Sequence, residues 1–353
     1  MDKKSASPNY QNILAELNQM IELNSDDVEA YYRRSELYYS QEDYRAGIED
    51  LTAILQRDSN ATLAYMFRAY GYGKLDNNQK AIQDYTSAIA LCPNYAKAYY
   101  NRGIIYNELE QYQQAIDDYS LAIRINPDYL EAYYNRGIAH NKLKQYLQAI
   151  SDYTQVIRLD PLDGEAYYNR ANTYNRVKQY AQAVTDYDRA IELNPQDLEA
   201  YYNRANVYHK TKVYDRAIAD YGQVIKYNSR HAPTYYNRGT TYLSDEQYQK
   251  AIADFSQAVK LNPNYAEAYY NRAITYNKIA KYQEAIADHQ KAIALNNDYA
   301  EAYGNLGLVY QTLNKKDLAI DNLEQAAKLF KQQGNQPLYK YVSDKLAMLR
   351  SPN

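Results

Sequence analysis

The sequence predicts an all-α solenoid of antiparallel helix pairs, and three observations carry that prediction. First, the phrase Ala98-Tyr99-Tyr100-Asn101-Arg102-Gly103 returns as Ala132-Tyr133-Tyr134-Asn135-Arg136-Gly137. It returns again from Ala166, Ala200, Thr234 and Ala268, always 34 residues on, with weaker copies from Ala30, Ala64 and Ala302. Second, 46 of 353 residues are tyrosine while Trp is absent and Phe occurs three times, a bias expected when one short pattern has been copied many times. Third, each copy holds two stretches with apolar residues three and four apart, the spacing of one helical face.

In the unit Ala96 to Tyr129, counted from position one, Tyr99, Gly103 and Tyr106 share a face of a first helix. Tyr112, Ala115, Ile116, Tyr119, Ala122 and Ile123 mark the inward face of a second. Asn126-Pro127 ends it, because proline cannot continue the hydrogen-bonded ladder. Residues 1–8 are expected to be disordered. Residues 9–27 align with a second helix, Tyr10 matching Tyr44, and form a half repeat. Residues 28–333 make nine repeats without insertion or deletion. Residues 334–353 hold a capping helix opened by Pro337, whose mixed apolar and charged positions suit a solubilising end. One hairpin cannot bury its apolar face alone, so stability is expected as a sum of neighbour terms with no domain boundary inside the array.

The pattern Tyr99-x2-Arg102-Gly103-x2-Tyr106, then Ala115-x3-Tyr119 and Pro127, resembles the tetratricopeptide repeat signature. Tyr stands for the usual first Trp, Arg for the usual Leu, and His140 takes one Tyr position. The resemblance implies a right-handed superhelix whose first helices line a concave groove. Opposite the buried face of each first helix lie positions two, six, nine and thirteen. Position six carries Asn101, Asn135, Asn169, Asn203, Asn237, Asn271 and Asn305, and position five carries Tyr100, Tyr134, Tyr168, Tyr202, Tyr236 and Tyr270, with Tyr32 further upstream.

A carboxamide offers both donor and acceptor, so a row of asparagines can pair with the NH and C=O of an extended peptide of any sequence. The arrangement is similar to the asparagine ladder of the O-GlcNAc transferase repeat superhelix, and only the ladder positions carry over. A hydrogen bond contributes about 0.5 to 1.5 kcal/mol net, while ordering a peptide residue costs about 1 to 2 kcal/mol. Side-chain anchors must therefore supply affinity, and the adjoining tyrosines bury large area at little rotamer cost. The ladder breaks early: Arg33 holds position six of repeat one, and Met66 and Phe67 replace the Tyr-Asn pair in repeat two, with Tyr70 at position nine. Tyr32, Tyr39, Met66, Phe67 and Tyr70 are expected to form an apolar pocket there.

Position two carries Glu29, Glu131, Glu165, Glu199, Glu267 and Glu301, and position thirteen carries Lys74, Lys142, Arg176, Lys210 and Lys278. Glu at position two speaks against a clamp for a C-terminal carboxylate. Arg at position seven and Asp at position 23 recur together through repeat eight, and both stop at Leu306 and Asn322, so they are expected to pair within or between hairpins.

A formal net charge of −3 lacks the basic excess of a nucleic-acid binder. The single Cys92 forms no intrachain disulfide, and the four histidines fall on different faces, so no metal site or cofactor is expected. Gly71-Tyr72-Gly73-Lys74 lacks the spacing of a phosphate loop. No run approaches the roughly 18 apolar residues of a membrane span, and no secretory signal is evident at the N-terminus. The expected protein is cytoplasmic, non-catalytic, monomeric or weakly associating end to end, and holds an extended peptide or helix of a partner protein. The alternative is a scaffold assembling through its convex face or ends.

Overall fold

The computed structural model describes residues 8–351, which form twenty α-helices and, among these residues, no strand. The chain divides into two compact units, residues 1–179 and 180–353.

In the first unit α1 (Pro8–Leu23) packs on α2 (Val28–Ser40), and α2 pairs with α3 (Tyr44–Arg57). Three further hairpins follow: α4 (Thr62–Lys74) with α5 (Asn78–Leu91), α6 (Ala96–Glu108) with α7 (Tyr112–Ile125), and α8 (Leu130–Lys142) with α9 (Tyr146–Leu159). α10 (Gly164–Arg176) packs on α9. α1 begins at Pro8, the last residue of the segment expected to be disordered; the rest of that segment lies outside the described residues.

The second unit opens with α11 (Tyr180–Leu193), which packs on α12 (Leu198–Lys210). Its hairpins are α12 with α13 (Tyr214–Tyr227), α14 (Ala232–Ser244) with α15 (Tyr248–Leu261), α16 (Ala266–Lys278) with α17 (Tyr282–Leu295), and α18 (Ala300–Thr312) with α19 (Lys316–Gln332). α20 (Gln336–Arg350) covers α19, burying Val342 and Leu346 against Leu323, Ala326 and Phe330.

The turn inside each hairpin is a Schellman-type stop made without glycine. After α6, Gln111 N–H donates to Tyr106 C=O at 2.9 Å and Glu110 N–H to Asn107 C=O at 3.1 Å. Glu110 therefore sits at φ 58°, and Glu42, Asp76, Lys144, Lys178, Lys212, Glu246, Ala280 and Asn314 take the same left-handed backbone. The two helices of a hairpin close tightly because position eight is small. A Cβ on Gly103 would stand 2.7 Å from the Tyr119 ring, which is 1% exposed.

The arginine of position seven ties hairpins together and, where a polar side chain faces it, to the preceding hairpin. Arg102 donates from Nε and Nη2 to both carboxylate oxygens of Asp118, each at 2.8 Å, and from Nη1 to Thr86 Oγ1 in the preceding hairpin at 2.9 Å. The same fork joins Arg136 to Asp152 and Ser120, and Arg272 to Asp288 and Ser256. Arg102 also lies over the rings of Tyr99 and Tyr106, a geometry that favours a guanidinium over an ammonium. The charge pair expected from the sequence thus closes within the hairpin, and the third donor of Arg102, Arg136 and Arg272 reaches back to the preceding one.

Candidate protein-interaction face

Within each unit the first helices of successive hairpins stand side by side: α4 touches α6 and α6 touches α8, while α12, α14, α16 and α18 touch in order. Positions two, six, nine and thirteen are three or four residues apart, so they share one face of each of these helices.

On that face the asparagines and tyrosines of neighbouring repeats are joined. Asn135 Nδ2 donates to the Tyr100 hydroxyl at 3.0 Å, and Asn169 to that of Tyr134 at 2.8 Å. In the second unit Asn237 donates to Tyr202 at 2.8 Å, Asn271 to Tyr236 at 3.0 Å and Asn305 to Tyr270 at 2.9 Å. Tyr168 and Asn203 are half-buried at the same positions. Asn101 has no tyrosine at residue 66 to meet, and it bonds the hydroxyl of Tyr85.

These bonds use one amide hydrogen. Among the described residues, Oδ1 and the second N–H of Asn135, Asn169, Asn271 and Asn305 have no protein partner. Asn237 is more fully engaged, donating also to Asn206 Oδ1 at 3.1 Å. Asn135, Asn169, Asn271 and Asn305 can therefore each offer an acceptor and a spare donor to a ligand.

The tyrosines are seated by rings that the sequence reading overlooked. Tyr100 packs on Tyr129 with centroids 4.8 Å apart, Tyr236 on Tyr265 at 4.9 Å and Tyr270 on Tyr299 at 4.8 Å. The recurrence of Tyr at position 34 in these repeats was the available signal. Burial, then the charge of Glu301, pushes the Tyr270 hydroxyl up to about 12, against a smaller opposite effect of the Asn305 bond. Burial and the nearby Glu165 likewise raise Tyr134, which is hydrogen-bonded to that glutamate. These hydroxyls stay protonated and serve as neutral donors and acceptors.

A second row lies beneath. Thr173, Thr241 and Thr275 are fully buried and donate to the backbone C=O of Asn169, Asn237 and Asn271. Asn141 donates to Thr173 Oγ1 at 2.9 Å, and His209 places Nδ1 3.0 Å from Thr241 Oγ1, so the histidine keeps the contact that asparagine makes elsewhere. Burial, with a smaller effect of Lys210, lowers the His209 pKa.

At the early break in the ladder, Met66 lies elsewhere than expected. Phe67 and Tyr70 are exposed, at 36% and 44%, but Met66 is 5% exposed. Met66 packs with Ala69, Ala81, Tyr85 and Ile105 in the core, so it lines no pocket. The reason is that position five points between helices, and a flexible thioether fills space that a ring fills in other repeats. Tyr39 is wedged between hairpins, its ring against Gly47 and its hydroxyl against Gly71, where a Cβ would clash, and that hydroxyl donates to Phe67 C=O at 3.0 Å. Tyr44 and Tyr70 pack against it.

Among the described residues no group of three or more His, Cys, Asp or Glu could hold a metal ion, and no helix is long and apolar enough to cross a membrane.

Family profiles described as tetratricopeptide repeat match residues 28–60, 96–129, 130–162, 164–197, 186–219, 232–265 and 264–332. One described as TPR repeat matches 72–109. A search of curated proteins finds no match. Among solved structures, a tetratricopeptide repeat protein from Parabacteroides merdae ATCC 43184 is 24% identical over 71% of this chain and 99% of its own, with a TM-score of 0.50. YrrB, described as a TPR protein with an unusual peptide-binding site, is 24% identical over 52% of this chain and 95% of its own, with a TM-score of 0.48. MamA is 21% identical over 47% of this chain and 96% of its own, with a TM-score of 0.45. Tetratricopeptide repeats are protein-interaction modules, and their fold generally serves as a non-catalytic scaffold. The repeat length, the helix pairs packed in sequence order and the profile matches along most of the sequence agree: the chain belongs to the tetratricopeptide repeat family.

Proposed function

We propose that this protein is a non-catalytic adaptor whose first helices form a groove for an extended segment of a partner protein. The observation that carries the reading is the half-engaged carboxamides, Asn135 and Asn169 in the first unit and Asn271 and Asn305 in the second, each fixed by one bond to a tyrosine of the preceding repeat. Holding a side chain in place before the ligand arrives lowers the entropy lost on binding. The carboxamides set the register of the peptide backbone, and the tyrosines with Phe67 and Tyr70 give apolar contact.

Selection from a displayed random peptide library, followed by titration of the selected peptides, tests this reading. Peptides should bind wild-type protein and lose at least tenfold in affinity for the Asn271→Ala, Asn305→Ala double variant. Selected peptides that bind both proteins equally would place the interaction elsewhere, and the scaffold reading through another face would then gain.

A further inference from the structure

Four first helices, α8, α10, α12 and α16, carry a glutamate at their N-terminal end and a lysine or arginine at their C-terminal end, while α14 has Pro233 and Ser244 at these positions. In α8 and α10 the N-terminal turns bear Glu131 and Glu165 and the C-terminal turns bear Lys142 and Arg176, all exposed. In the second unit Glu199, Glu267 and Glu301 open α12, α16 and α18, and Lys210 and Lys278 close α12 and α16. Because every first helix is followed by an antiparallel second, first helices within a unit run parallel and their like ends line up. Within each unit the lip at position two therefore has an acidic excess and the lip at position thirteen a basic one, with the Asn-Tyr pairs between them.

The two lips act separately. Position thirteen lies eleven residues beyond position two, a separation of about 16 Å at the helical rise of about 1.5 Å per residue. The Debye length at physiological ionic strength is about 8 Å, so a charge at one lip is screened from the other. Near-neutral net charge thus conceals two local fields of opposite sign. A segment lying along the groove with its backbone on the asparagines directs successive side chains to opposite sides, because the side-chain period of an extended strand is two.

We infer that the groove selects extended segments in which basic and acidic residues alternate, the basic ones facing the glutamate lip and the acidic ones facing the lysine lip. This rests on the reading of the face as a peptide groove. Repeat three inverts the pattern, with Lys97 at position two and Glu108 at position thirteen, which gives a bound segment a register mark. Rim charges of this kind contribute selectivity and association rate more than affinity.

The test compares two fluorescein-labelled twelve-residue peptides of identical composition, one alternating Lys and Glu throughout and one with six Lys followed by six Glu. Twelve extended residues span about 40 Å, enough to cross four neighbouring helices at about 8–10 Å each. The alternating peptide should bind at least tenfold more tightly at low ionic strength. Its advantage should vanish in the Glu267→Lys, Glu301→Lys variant, with binding of the block peptide little changed. Equal binding of the two peptides, tighter binding of the block peptide, or no binding of either overturns the inference. The library-selected peptides then separate the cases: if they still depend on Asn271 and Asn305, the groove reading stands without its charge rule, and if they do not, both fall.

Discussion

Asn271 donates from Nδ2 to the hydroxyl of Tyr236 at 3.0 Å, although 35 residues separate them. The bond crosses from one repeat to the next, so it couples neighbours as well as orienting the carboxamide. A double-mutant cycle with Asn271→Ala and Tyr236→Phe should give a coupling energy of about 0.5 to 1.5 kcal/mol in thermal or urea unfolding. Additive effects would show that the two side chains merely lie close.

The arginine forks predict a steep contrast between two ion pairs. Arg272 and Asp288 are 15% and 10% exposed, and Asp288 receives two bonds from the guanidinium. Asp288→Ala should cost about 3 to 5 kcal/mol, because it leaves a desolvated arginine without its carboxylate. Asp26 is 84% exposed in its pair with Arg57, so Asp26→Ala should cost about 0 to 1 kcal/mol. Comparable losses of Tm in the two variants would contradict this account.

His289 occupies the ring position that Tyr119 and Phe255 fill in other repeats; it is 0% exposed and neither ring nitrogen has a partner among the described residues. Burial holds its pKa at about 4, below the ordinary 6.5. The unfolded chain therefore takes up the proton first. Stability is unaffected above about pH 6.5 and falls as pH drops toward about 4, by at most about 3 kcal/mol from this residue. His289→Phe should raise Tm at neutral pH and flatten the decline between pH 6.5 and 4. A variant whose pH profile parallels wild type would show that His289 does not titrate in this window.

Much of this architecture was legible because the 34-residue period places equivalent residues in equivalent environments. Tyr119 and Gly103, or Arg102 and Asp118, announce their contact by recurring together. What was hidden has no periodic signal or depends on geometry between repeats. Nothing in the sequence marks Met66 as core, since position five carries half-exposed tyrosines in repeats one and three to eight. The third donor of Arg102 reaches Thr86 in the previous hairpin, a pairing that the shared Arg and Asp series does not reveal. The left-handed turn residue is also concealed, because glutamate, lysine, asparagine and alanine all occupy it in place of glycine.

That turn gives a direct check on backbone strain. Ala280 stands at φ 57° with no side-chain hydrogen bond available to offset the conformation. Ala280→Gly should stabilise the protein by about 1 kcal/mol, seen as a higher Tm, whereas the same change at a right-handed helical site such as Ala258 should destabilise it. Loss of stability in Ala280→Gly would argue against the left-handed turn.

Phe67 separates binding from folding at the early end of the ladder. It is 36% exposed and shares its surface with Tyr70, whereas its neighbour Met66 is buried. Phe67→Ala should weaken selected peptides that reach this end by roughly tenfold, about 1.4 kcal/mol, with little change in Tm. Met66→Ala should lower Tm by an amount equivalent to about 2 to 5 kcal/mol. A large fall in Tm for Phe67→Ala would assign it to the core instead.

Backbone recognition by the asparagine row is most directly tested by methylating the ligand, not the protein. A library-selected peptide would be resynthesised with single N-methyl groups at successive amides and titrated against the full chain. Methylation removes a donor and obstructs the close approach of a carboxamide while leaving every side chain in place. Losses of about tenfold, about 1.4 kcal/mol, are expected at amides recurring every third residue or so, where the strand passes successive asparagines. Affinities that are insensitive to methylation at every position would contradict backbone recognition.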